Sequence, residues 1–231
     1  MPQRRQIVHI HIPKCGGTAV TRYLRRLLGP ENVAHFGHRG QTAQFRSLPP
    51  EALAGFLAVG GHVPYQALFE KLGPSPKYIA IVREPLDLFA SYYRDVARRA
   101  VHPLHDRAAN MPPAEFVEFV SLKGFLRPQV FFLSREGSPD EAQDLIRSGA
   151  IRAEPLQRMR RLMAEIARDF DLNPVVLKRA NSSQKFNIKN RKLVREAIAH
   201  YFAGDIALYR CVLEKSHELA QGAGAEAEIE D

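Results

Sequence analysis

The chain has 231 residues and a mass of 26.0 kDa, the size of one domain or at most two small ones. A composition that is 45% hydrophobic and 25% charged, with Cys15 and Cys211 as the two cysteines, is ordinary globular usage; it excludes disorder, a collagen-like repeat and a disulfide framework. The formal charge is +8, and leaving out Glu226, Glu228, Glu230 and Asp231 raises the body to +12, a balance suited to anionic ligands.

In chain order, Ile7 to Ile12 reads as a short buried strand that stops at Pro13. Val20, Tyr23, Leu24, Leu27 and Leu28 then give one face of a helix over Thr18 to Leu28, ended by Gly29-Pro30. Phe56 to Gly60 is a second strand, with Pro64 opening a short helix. Lys77 to Val82 is the clearest strand, because Tyr, Ile and Val suit a buried pleat. Pro85 starts a helix that runs to about Arg99. Val101 to Pro113, with three prolines and two histidines, reads as a loop and a candidate acceptor lid.

From Pro113 to Asp171 the pattern is helical, including Pro155 to Phe170. Val175 to Leu177 reads as a last strand, and Asn190 to Phe202 and Asp205 to Leu219 as two closing helices. Strands alternating with helices in the first hundred residues predict a parallel sheet flanked by helices, with a helical second half. The expected organisation is one domain over 1–220 and an acidic disordered tail over 221–231. No apolar run approaches the roughly 20 residues that span a bilayer. Met1 to Gln6 leads into an apolar run too short for a signal-peptide core. Both features predict a cytoplasmic protein without a membrane span.

Two junctions carry the chemistry. Pro13-Lys14-Cys15-Gly16-Gly17-Thr18 lies between the first strand and the first helix. Adjacent glycines allow a tight turn and bring backbone N–H groups near a ligand. Thr18 can cap the helix, whose free N–H groups and positive dipole end favour a phosphate or sulfate, and Lys14 adds a point charge. The order differs from the G-x-x-x-x-G-K-[ST] loop of nucleotide-binding proteins. The buried strand ends in Arg83 and not in an Asp that would hold Mg²⁺, which argues against a P-loop kinase. At the second junction, Ser91 comes eight residues after Arg83, and Pro85 to Ser91 spans about 9 Å of helix. Arg83 and Ser91 are therefore placed to clasp one phosphate; the alternative is that Glu84 and Asp87 stabilise the helix dipole with Arg83 as their partner.

Two anion cradles on one parallel sheet fit a nucleotide with phosphoryl-type groups at both ends. Here the sequence resembles the PAPS-dependent sulfotransferases, especially the carbohydrate-type branch. His11 to Thr18 is similar to that family's loop for the 5′-phosphosulfate, and Val82-Arg83-Glu84-Pro85 with Ser91-Tyr92-Tyr93 to its 3′-phosphate motif. Gly61-His62-Val63 resembles a histidine motif of the 2-O-sulfotransferases. Asn181-Ser182-Ser183 and Asp205 to Tyr209 resemble C-terminal signatures of the family.

The resemblance implies a P-loop-like three-layer α/β fold, PAPS as donor without a metal, and in-line transfer to a hydroxyl of a carbohydrate or glycolipid. A small-molecule or protein acceptor is the alternative. It further implies that Lys14, Cys15, Gly16, Gly17 and Thr18 hold the 5′ end, that Arg83 and Ser91 hold the 3′-phosphate, and that Lys14 and His62 are catalytic, with His62 as base. Gly60 departs from the branch, which has a second histidine there. His9 and His11 read as structural residues of the first strand. His35, His38, His102 and His105 show no metal-ligand constellation. Arg22, Arg25, Arg26, Arg94, Arg98 and Arg99 are either a solvated face or an acceptor groove. A nucleic-acid-binding module would need aromatics interleaved with the basic residues or a recognition helix, and neither is present.

Overall fold

The computed structural model describes residues 6–176 and 190–227. Five parallel strands form one sheet in the order β2-β3-β1-β4-β5, with β1 at Ile7–Ile10, β2 at Val33–Phe36, β3 at Ala58–Gly61, β4 at Lys77–Val82 and β5 at Ile151–Pro155. β1, β3 and β4 are buried almost throughout, which is why they read as short apolar runs with little alternation.

Helices occupy the connections. α1 (Gly17–Leu28) buries Val20, Tyr23, Leu24 and Leu28, the face set by its apolar spacing, and stops at Gly29. α2 (Arg39–Ser47) and α3 (Glu51–Ala54) join β2 to β3, and α4 (Tyr65–Leu72) leads to β4. α5 (Pro85–Arg98) has Pro85 at its first position, and the Glu84 side chain accepts from the Asp87 N–H at its start. α6 (His105–Asn110), α7 (Pro113–Leu122), α8 (Gln129–Leu133) and α9 (Pro139–Arg147) precede β5. α10 (Met159–Asp169), α11 (Arg191–Tyr201) and α12 (Ala203–Ala227) complete the described chain.

The chain leaves β1 toward one edge and β4 toward the other. Right-handed crossovers then place α1 and α4 on opposite faces of the sheet, and the contacts agree: α1 meets α10, while α4 meets α8. The loops after β1 and β4 diverge at the topological switch point, where ligands of open α/β sheets bind.

Several expectations need correction. The fifth strand is Ile151–Pro155, inside the stretch read as helical; Pro155 ends that strand, and the helix proper starts at Met159. Val175 and Val176 are not in a strand, and Leu177 lies outside the described residues. Val33–Phe36 is a strand that the sequence reading missed. The Val101 to Pro113 segment carries α6, with Leu104 and Ala108 buried and the Tyr93 hydroxyl donating to the Ala108 carbonyl at 2.7 Å; its prolines flank the helix and do not interrupt it. α12 extends to Ala227, six residues past Gln221, because Ala and Glu favour a helix even without an apolar face. No helix among the described residues is long and apolar enough to cross a membrane.

Candidate active site

Three neighbouring strands, β3, β1 and β4, end side by side, so their following loops fall within about 10 Å of one another, two interstrand spacings. β1 feeds the Lys14 loop, β3 feeds His62, and β4 feeds Arg83.

The first loop is tightly shaped. Lys14 and Gly16 both have left-handed backbones, with φ of 66° and 82°, a conformation rare for a residue with a side chain. Gly17, the first residue of α1, lies against the His11 ring, where a Cβ would come within 1.9 Å of a ring carbon. A glycine is therefore required here by contact. Gly16, not Thr18, is the N-cap, and no side chain caps the helix. Thr18 is exposed within the first turn; the Ala19 and Val20 amides donate to the Gly16 carbonyl, which leaves the Gly17 and Thr18 amides without an acceptor among the described residues. The expected capping role of Thr18 is thus replaced by an open helix end. The Lys14 ammonium lies 3.3 Å from Asp95 of α5. Cys15 is buried, and burial pushes its thiol well above the usual range, which removes it as a nucleophile.

Arg83 is half-buried after β4. Its guanidinium donates to the Lys14 carbonyl at 3.1 Å, and among the described residues no carboxylate lies within ion-pairing distance of it. Glu84 turns instead to the Asp87 amide, at 2.8 Å. Burial pulls the Arg83 guanidinium below its ordinary value, and the Asp87 and Glu84 charges offset that only in part. The Ser91 hydroxyl, two turns along α5, has no partner among the described residues. Arg22, Arg25, Arg26, Arg98 and Arg99 are exposed, as on a solvated helix face.

On the other side of the first loop, four imidazoles gather. The His11 Nδ1 and His35 Nε2 atoms are 3.0 Å apart. The His11 ring stands edge-on to His62, at 4.3 Å between centroids, and stacks with His9 at 5.3 Å. Burial first, then mutual repulsion, lowers His9 to about 3, His11 to about 2 and His35 to about 4. Burial also lowers His62, which is half-exposed. His62 does not cap α4, whose N-cap is Pro64 without a side-chain bond.

The structure also accounts for Gly60: a Cβ there would lie 2.5 Å from the His9 carbonyl oxygen, so β1 occupies the space of a second histidine. Its neighbours His11 and His35 supply imidazoles from β1 and β2 instead. Among the described residues no group of three or more His, Cys, Asp or Glu is arranged to hold a metal.

The sequence of residues 1–195 matches the model of a family described as "Sulfotransferase family". The chain belongs to the sulfotransferase family. As a sulfotransferase it is a transferase enzyme that acts on an acceptor, and membership implies PAPS as the sulfuryl donor. Among curated proteins none matches the chain. In fold it is similar to a crystal structure of a sulfotransferase from Alicyclobacillus acidocaldarius, with a TM-score of 0.52 at 15% identity over 90% of this chain and 96% of that one. That likeness supports the parallel sheet flanked by helices and a helical C-terminal part.

Asn181-Ser182-Ser183 lies outside the described residues. Asp205 is buried in α12 and holds main chain at the start of α8. The sequence reading weighed His35 only as a metal ligand, because its strand was not recognised, and passed over Gln129, a lone glutamine after Pro128 with no motif around it.

Proposed function

We propose that this sulfotransferase moves a sulfuryl group from PAPS to a hydroxyl of a carbohydrate or glycolipid, with His62 taking the acceptor's proton. The observation that carries this reading is the half-buried Arg83, without a carboxylate partner, one strand away from the open N-terminus of α1. A half-buried cation without an ion-pair partner favours an anion, and the free Gly17 and Thr18 amides favour a second one. A nucleotide with a phosphate at each end fits both.

When bound, PAPS supplies a sulfuryl group whose bond to the bridging phosphate oxygen breaks as the acceptor oxygen bonds to sulfur. The amides of Gly17 and Thr18 and the Lys14 ammonium would face the 5′ end, with Lys14 opposing charge that grows on the leaving oxygen. Arg83 and Ser91 would hold the 3′-phosphate. His62, kept neutral by burial, is ready to accept a proton at neutral pH, and His11 against its edge restricts the ring.

The test is binding and single-turnover transfer in three proteins. The 3′,5′-bisphosphate should stabilise wild type by about 2.7 kcal/mol at 100 times its dissociation constant, and AMP by clearly less. His62→Ala should keep that affinity while transfer falls by roughly 10²–10⁴. Lys14→Ala should weaken binding and slow transfer by about a hundredfold. Activity should rise with pH, with its midpoint below 6.5 because burial lowers the His62 pKa. Equal stabilisation by AMP would remove the 3′-phosphate assignment, and wild-type transfer in His62→Ala would place the base elsewhere.

A further inference from the structure

Gln129, the first residue of α8, has no exposure to solvent, yet no motif or family signature accounts for it. Both ends of its side-chain amide are engaged. Oε1 accepts the Arg83 N–H at 2.9 Å and the Cys15 thiol at 3.4 Å, and Nε2 donates to the Arg83 carbonyl at 2.8 Å. The side chain thus pairs with both main-chain groups of Arg83 as a neighbouring strand would, and reaches the first loop in the same step.

Gln129 is itself fixed from behind. The Asp205 carboxylate accepts from the Gln129 N–H at 2.8 Å and from the Val130 N–H at 3.0 Å. The ring closes through the Arg83 guanidinium, which donates to the Lys14 carbonyl. Lys14, Cys15, Arg83, Gln129 and Asp205 therefore form one hydrogen-bonded circuit that spans both cradles.

We infer that Gln129 is a positioning residue that locks the spacing of the two anion cradles, so that the two ends of the donor nucleotide are read together. The inference rests on the donor reading above and deepens it. A glutamine suits this place because its planar amide offers an acceptor to the Arg83 N–H and, from the adjacent atom, a donor to its carbonyl. A carboxylate here would lose the donor and set a negative charge beside Arg83. An apolar residue of similar size would leave two buried main-chain groups unpaired.

The experiment is calorimetric titration of full-length wild type, Gln129→Met and Gln129→Glu with the 3′,5′-bisphosphate and with AMP. The readout is the ratio of the two affinities, which a general loss of stability does not move. In Gln129→Met the preference for the bisphosphate should fall about tenfold or more, the scale of one misdirected charged hydrogen bond, while AMP affinity changes little. Gln129→Glu should fall further, because its carboxylate competes with the 3′-phosphate for Arg83. It also keeps the acceptor contacts, so it reports should Gln129→Met not fold. A wild-type ratio in either folded variant overturns the inference alone. Wild-type protein that binds both nucleotides equally overturns the donor reading and the inference with it.

Discussion

Arg83 and Arg152 belong to neighbouring strands of one sheet and meet opposite fates. Arg152, within β5, is 12% exposed and lies 2.7 Å from Glu154, which is fully buried, and 3.0 Å from Glu165. Glu165 also pairs with Lys77 at 2.7 Å, and Glu154 accepts from the Ser216 hydroxyl. Although burial lowers the Arg152 pKa, its hydrogen bond to Glu154 and the two carboxylate charges more than offset that and hold it above its ordinary value. Arg83, at the carboxyl edge of β4, has only a main-chain carbonyl. The same residue type is closed into the fold by carboxylates in one place and left without an ion-pair partner in the other. On the proposed reading, pairing rather than burial or charge separates a cation that holds the structure from one that takes a ligand.

The largest effect expected from this contrast is on stability. Arg152→Met removes the nearest cation from the buried Glu154 and leaves it Arg161 at 3.8 Å and the Ser216 hydroxyl; breaking a buried pair in this way costs about 3–5 kcal/mol. Arg83→Met removes no ion pair and should cost less than about 1 kcal/mol, since it relieves an uncompensated charge. Urea unfolding of the two variants decides. Equal losses would mean that Arg83 is as structural as Arg152.

The contrast also marks what was legible in the sequence. The Lys14 loop and the start of α5 were readable because a tight turn and a proline-led helix demand particular residues at fixed positions. β5 was not, because Ile151-Arg152-Ala153-Glu154-Pro155 places charges within a strand, and partners outside it, Glu165, Lys77, Arg161 and Ser216, make that tolerable. β2 has four residues and little pattern, so His35 and its bond to His11 were invisible. The chain-wide partners of Gln129 lie 46 to 114 residues away. Local pattern reports local demands, and these residues answer distant ones.

The histidine cluster adds a third way to bury a polar group, by keeping it neutral. In the folded protein His9 and His11 are lowered to about 3 and about 2, from 6.5. Between those values and 6.5 the unfolded chain binds more protons, so their contribution to stability is complete above 6.5 and lost as pH falls. From pH 7 to pH 5 each costs about 2 kcal/mol. Asp205, raised by burial to about 6, has the opposite sign and offsets about 1 kcal/mol. His35, lowered to about 4 and only partly buried, adds about 1 kcal/mol of loss, so a net loss of about 3–4 kcal/mol should appear in denaturant midpoints over that window. It should shrink in His11→Gln. A flat profile would mean that the imidazoles are charged or solvated in the folded state.

Ligand binding gives the next effect in size. Arg83→Met should lose about 1.5–3 kcal/mol of bisphosphate affinity, roughly 10- to 150-fold, the range for a hydrogen bond to a charged group. AMP affinity should stay near wild type, because AMP lacks the 3′-phosphate. The corresponding Arg152 variant, measured where it remains folded, should bind both nucleotides normally. A loss of AMP affinity equal to that of the bisphosphate would place Arg83 at the 5′ end.

The smallest effect tests the case between the two arginines. Lys14 has a partner, Asp95 at 3.3 Å, but the pair is 27% and 39% exposed, and Arg99 shares the same carboxylate at 3.6 Å. Exposed pairs of this kind contribute about 0–1 kcal/mol. In the free protein Lys14 is therefore held only loosely and can turn to a phosphosulfate at the end of α1. Asp95→Asn should leave the melting temperature nearly unchanged. It should raise donor affinity a few-fold at low salt, because a competing carboxylate is removed from beside the site. That gain should fade as added salt shortens the screening length to about 8 Å and below. If Asp95→Asn instead costs as much stability as Arg152→Met, the Lys14 pair belongs with the closed cluster of β5. Lys14 would then be a fastening of the loop to α5, not a charge held ready for the donor.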